Sequence, residues 1–129
     1  MIDDQNRKLL IDFRIHQAKE TIELAQFLIN ANKLEVSVNR IYYGMYYALT
    51  ALALKHNFET SKHAQLIGWF NKEFVAPGLI DQKFGKILRN AFQNRTKGDY
   101  DAFTEFTLPE VEDMLRDMIS FIEAVESIL

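Results

Sequence analysis

Three short stretches carry the side chains whose types and spacing could do chemistry. Ser37-Val38-Asn39-Arg40-Ile41-Tyr42-Tyr43-Gly44-Met45-Tyr46-Tyr47 sets four tyrosines within six residues, just after an arginine. Tyrosine rings can stack bases, and a guanidinium such as that of Arg40 can meet a phosphate. The same hydroxyls can instead bond backbone and one another, holding a bundle together. Arg89-Asn90-Ala91-Phe92-Gln93-Asn94-Arg95-Thr96-Lys97-Gly98-Asp99-Tyr100 carries three basic side chains near a helix C-terminus. They can clamp an anion or complement the helix dipole. Ser61-Lys62-His63 opens a further helix, where a cap followed by Lys and His can receive an anion or simply start the helix. Arg40, Tyr43, Lys62, His63, Arg89, Arg95 and Lys97 are thus the candidate nucleotide- or phosphate-binding residues.

Other chemistries find no support. The five glycines are scattered, so no phosphate-binding loop forms. There is no cysteine, hence no thiol nucleophile and no Cys-ligated metal. His16, His56 and His63 lie on different predicted elements, with no metal-ligand spacing and no nucleophile elbow. We expect no metal and no cofactor. The net charge of −3 argues against coating nucleic acid by bulk charge, while a local basic patch remains open. The acidic, polar N-terminus does not read as a signal peptide. The longest apolar stretch, Ile41–Leu54, is too short to span a bilayer. A cytoplasmic protein with no membrane contact is the expectation.

The elements that must position these residues read as helices. Ile11, Ile15, Ala18, Ile22, Ala25 and Ile29 give a helical stripe and predict a first helix over 4–31, capped by Asp3 or Asp4. A second helix over 35–56 has one stripe of Val36, Arg40, Tyr43, Tyr47 and Leu54. It has another of Val38, Ile41, Met45, Ala48 and Leu52. Two stripes mean burial on most sides, so this is the central helix. Ser61 is the expected cap of a helix over 61–75, and Asp81 of one over 81–95. Lys97-Gly98-Asp99 reads as a turn, with Phe103 and Phe106 pinned on the core after it. Thr107-Leu108-Pro109-Glu110 is a capping box that starts a last helix over 108–128. The chain is expected to be all-α, a single-domain up-and-down bundle of about five helices over 1–129.

Taken in order, Ala18 to Ala25, Asn39 to Ala48, Ser61-Lys62-His63, Phe70 to Gly78 and Arg95-x-x-x-Asp99-Tyr100 resemble the HEPN superfamily. The name stands for higher eukaryote and prokaryote nucleotide-binding domain. The resemblance is to its small stand-alone bacterial and archaeal branch and covers about residues 8–127. It implies a helical bundle, commonly a homodimer, that binds nucleotide or RNA. It also implies a partner, in many members a minimal nucleotidyltransferase, and a role in toxin–antitoxin or antiviral defence. Many members are metal-independent endoribonucleases with an Arg-x(4–6)-His site shared across a dimer cleft. There the Arg holds the phosphate and the His moves protons, which suits a group titrating near neutrality. None of the six arginines here is followed by a His at that spacing. Arg95-x4-Tyr100 stands in its place, and a phenol titrating near 10 is a poor base at pH 7. The favoured expectation is a binding protein with weak or no ribonuclease activity. The alternatives are an endoribonuclease using Arg95 with Asp99, Tyr100 or His63, and a structural dimeric adaptor. Arg40 needs a carboxylate or a phosphate-like anion once desolvated, and the resemblance, which puts both residues in one motif set, makes Asp99 the first candidate.

Overall fold

A computed structural model describes residues 2–129. Among the described residues it is all-α, a bundle of five helices. These are α1 (Asp4–Asn30), α2 (Leu34–Lys55), α3 (His63–Phe70), α4 (Gln82–Tyr100) and α5 (Leu108–Ser127).

Burial of α2 organises the rest. Val38, Ile41, Met45, Ala48 and Leu52 are each no more than 2% exposed. α1, α3, α4 and α5 all pack against this helix. Gly44 sets how closely they approach. A Cβ there would overlap the Met118 methyl of α5 and lie 3.3 Å from Thr21 Cγ2 of α1. α1 and α2 form a hairpin in which Asn32 takes a left-handed φ of 59°, a conformation Asn tolerates. The buried Ser37 hydroxyl donates to Ala25 O at 2.9 Å and ties the two helices together. Asp3 caps α1 by accepting from Asn6 N, and Asp81 caps α4 by accepting from Lys83 N. Thr107 and Glu110 form the expected capping box of α5.

Three local expectations are corrected. α3 starts at His63, with Lys62 in the cap position, so Ser61 is not its cap. Thr60 Oγ1 accepts from Lys62 N instead, at 3.1 Å. The helix then closes in a π-helical turn, Asn71–Val75, in which Ala76 N donates to Asn71 O at 2.8 Å. α4 does not end at 95 but runs to Tyr100. Gly98 serves close approach there and not a turn: a Cβ would meet Phe106 at 3.3 Å and Glu35 at 3.5 Å. The turn comes after it, where Asp101 Oδ1 accepts from Phe103 N at 2.9 Å. That turn leaves Phe103 94% exposed, whereas Phe106 does pack on the core.

Buried and exposed phenylalanines predict unequal mutational costs. Phe121 is fully buried against Phe70 and Phe84. Phe121→Ala should cost about 3–5 kcal/mol in urea unfolding. Phe103→Ser should stay within about 0.5 kcal/mol of wild type.

Candidate functional site

Asn39, Arg40, Tyr42, Tyr43 and Tyr46 recur along one side of α2 at helical spacing. Against them come the C-terminal half of α4, carrying Arg95 and Asp99, and the start of α3, carrying His63.

Arg95 is central. Its Nη2 donates to the Tyr43 hydroxyl at 3.0 Å. Its guanidinium carbon lies 5.3 Å from the Tyr43 ring centre and 5.9 Å from that of Tyr42. Arg95 Nε sits 2.9 Å from Asp99 Oδ2. This contact is an ion pair without hydrogen-bond alignment, since Nε is buried and has no hydrogen-bond partner. The pair exists because α4 continues past 95 and puts residue 99 one turn along on the same face. The expected Arg40–Asp99 pair is therefore replaced. Asp99 is taken by Arg95, and Arg40 reaches it only through Asn39. Asn39 Oδ1 accepts from Arg40 Nε and Nη2 at 3.0 and 2.6 Å. Asn39 Nδ2 donates to both Asp99 oxygens at 3.3 and 3.2 Å. Arg40 also lies over the Tyr43 ring, 4.8 Å from its centre. Two guanidiniums thus share one ring and one carboxylate.

His63 completes the cluster. Tyr42 Oη and His63 Nδ1 are 2.7 Å apart. The imidazole stacks on Tyr46, with centres 4.2 Å apart and planes 9° apart, and meets Tyr43 edge-on. Burial, with the nearby Arg95 charge, holds the His63 pKa below its ordinary value of 6.5. Burial, reinforced by Tyr46, pushes the Tyr42 phenol up, so it stays protonated.

The remaining sequence candidates fall elsewhere. Tyr100 is 78% exposed and lies about 140° round α4 from Arg95. Arg89 and Lys97 are exposed on other sides of α4, and Lys62 is exposed beside His63. Asn39, Tyr42 and Tyr46 were not singled out as site residues, although their spacing along α2 was the available signal. Among the described residues, no group of three or more His, Asp or Glu converges as a metal site. A cleft of about 610 Å³ beside α1, with Lys8, His16 and Glu126 in its lining, lies away from this cluster. Lys19 and Glu126 in that lining pair with each other at 2.7 Å.

The lowered His63 pKa has a sign for stability. The unfolded chain takes up this proton near pH 6.5, while the folded chain resists it. Stability from this group is therefore full above about 6.5 and falls as the pH drops towards the lower folded value. Urea midpoints should fall further between pH 7.5 and 5.5 for wild type than for His63→Gln. Equal falls would remove His63 from the pH response.

The chain matches the HEPN domain family over residues 11–128. It is 32% identical over 123 residues to a "UPF0332 protein" of Thermotoga maritima, covering 95% of this chain and 93% of the relative. Two proteins of Methanocaldococcus jannaschii, each named "putative toxin", are also similar. One is 32% identical over 101 residues, 78% of this chain and 69% of its own length. The other is 29% identical over 115 residues, 89% and 85% respectively. Among the described residues, no helix is long and apolar enough to cross a membrane. An all-helical bundle matched along nearly its whole length makes this chain a member of the HEPN domain family.

Proposed function

We propose that the protein binds single-stranded RNA or a nucleotide at the Arg95 cluster, as a toxin-like HEPN protein with weak or no ribonuclease activity. One observation carries this reading. Arg40 and Arg95 both lie against Tyr43, and Asp99 is the single carboxylate between them. Such a cluster keeps an unneutralised positive charge in partly desolvated surroundings, where a phosphate gains most. The half-buried Tyr46 and His63 rings beside it offer planar surfaces for a base. Lys62, Lys97 and Arg89 add exposed charge around it.

A cytoplasmic toxin–antitoxin or antiviral defence role, with a minimal nucleotidyltransferase as partner, fits this binding chemistry and the names of the relatives. His63 beside Arg95 favours a second reading, a metal-independent endoribonuclease in which α3 supplies the histidine missing after Arg95.

Anisotropy of a labelled single-stranded RNA tests the binding. Arg95→Ala should weaken it by about 1–3 kcal/mol, the loss of charge-assisted hydrogen bonds. Unchanged affinity would sink the site. In EDTA the wild type should cleave the RNA slowly or not at all. Rapid cleavage abolished by Arg95→Ala would install the ribonuclease reading instead.

The second partner we propose is another copy of the chain. Leu10, Phe13, Leu24 and Phe27 on α1 are 37%, 51%, 43% and 66% exposed, on the side away from its core stripe. Light scattering should give about twice the chain mass of 15.1 kDa. Combining Phe13→Asp with Phe27→Asp should halve the mass without unfolding the bundle. A wild-type monomer at micromolar concentration would exclude the dimer.

A further inference from the structure

We propose that His63 serves this site as a neutral hydrogen-bond donor, offering Nε2–H to a phosphate oxygen held by Arg95, and not as a base. The inference rests on the binding reading above and names how His63 takes part in it.

The argument starts at the Tyr42 hydroxyl. Tyr42 is fully buried, and its single hydrogen bond among the described residues is the 2.7 Å contact with His63 Nδ1. A buried hydroxyl proton must find an acceptor. If Nδ1 carried a hydrogen, the phenol would accept it, and its own proton would have nowhere to go. With Nδ1 unprotonated, the phenol donates and the contact is satisfied. The second ring proton then sits on Nε2, because one hydrogen bond fixes the tautomer of the whole imidazole.

Nε2–H has no hydrogen-bond partner in the chain among the described residues. The ring that carries it is clamped by its stack on Tyr46 and by the edge of Tyr43. The groups facing His63 are Tyr42, Tyr43 and Tyr46 from α2 and Arg95 from α4, with Lys62 preceding it on its own segment. None of them supplies a carboxylate to stabilise an imidazolium. Asp99, the acid of this cluster, is already engaged by Arg95 and Asn39.

A neutral imidazole whose free lone pair is spent on Tyr42 cannot remove a ribose 2′-hydroxyl proton. It can donate one hydrogen bond to a phosphate oxygen beside the Arg95 guanidinium. The same histidine therefore helps hold the ligand and does not replace the missing base. Binding should then be insensitive to pH from 6.5 to 8.5.

Two measurements on the full chain test this separately. Long-range ¹H–¹⁵N spectra of the unliganded protein read the tautomer. Wild type should show Nε2–H and unprotonated Nδ1 from pH 6.5 to 8.5, and Tyr42→Phe should lose that preference. A 2′-O-methylated single-stranded RNA, which cannot be cleaved by its own 2′-oxygen, reads binding. His63→Ala should weaken it by about tenfold, the scale of one hydrogen bond to a charged group. His63→Gln, which keeps a donor, should stay within about threefold, and wild-type affinity should be flat across the same pH range. A ring with its proton on Nδ1, an imidazolium at pH 7, or His63→Gln binding as weakly as His63→Ala would overturn the inference while leaving the site intact. Failure of the wild type to bind this RNA would overturn the binding reading and the ligand assigned here with it. The tautomer measurement would still report on the Tyr42–His63 pair.

Discussion

Val38, Ile41, Met45, Ala48 and Leu52 line α2 with almost no exposure, and four other helices must close around them. A helix apolar on most sides cannot be left at a surface, so the bundle is built outward from it. Gly44 leaves room for that closure, since a Cβ there would displace the Met118 methyl and press on Thr21. Another side of α2 carries Tyr43, Tyr46 and Tyr47, half-buried rings packed against the core, with the Tyr43 hydroxyl accepting from Arg95.

That boundary position explains how two guanidiniums can be tolerated there. Arginine is more weakly hydrated than lysine, and its flat face sits well on a ring. Arg40 and Arg95 use both properties against Tyr43. Asp99 offsets part of their charge, and Asn39 distributes it by accepting from Arg40 while donating to Asp99. Only one orientation of the Asn39 amide serves both neighbours, so the network is directional. Arg95 Nε remains without an aligned acceptor, which leaves the cluster electrostatically unfinished.

Much of this was legible in the sequence, for reasons that can be named. The stripes of α1 and α2 carry the period of a helix, and the Thr107–Glu110 box announces α5. Arg95, Tyr43 and His63 each stood out by type. Their meeting did not, because α2, α3 and α4 bring them from 20 or more residues apart. Lys97-Gly98-Asp99 misled because glycine usually marks a break, and here it marks contact with Phe106. The motif set suggested Arg40 as the partner of Asp99, and the continued helix gives it Arg95 instead. Phe103 misled in the opposite direction, since composition cannot tell a pinned ring from one that the Asp101 turn leaves exposed.

The continuation of α4 bears directly on the chemistry. In an unbroken helix, the residue four places after Arg95 shares its face, and the residue five places after is turned well away. Position 99 therefore determines what meets the Arg95 guanidinium, and a carboxylate stands there. His63, at the start of α3, comes near enough to this arginine to feel its charge. It arrives with one ring nitrogen already bound to a buried phenol. The histidine of this cluster thus comes tethered, from a helix other than the arginine's own. Tethering costs the ring its freedom to exchange protons and gives it a fixed direction in which to donate.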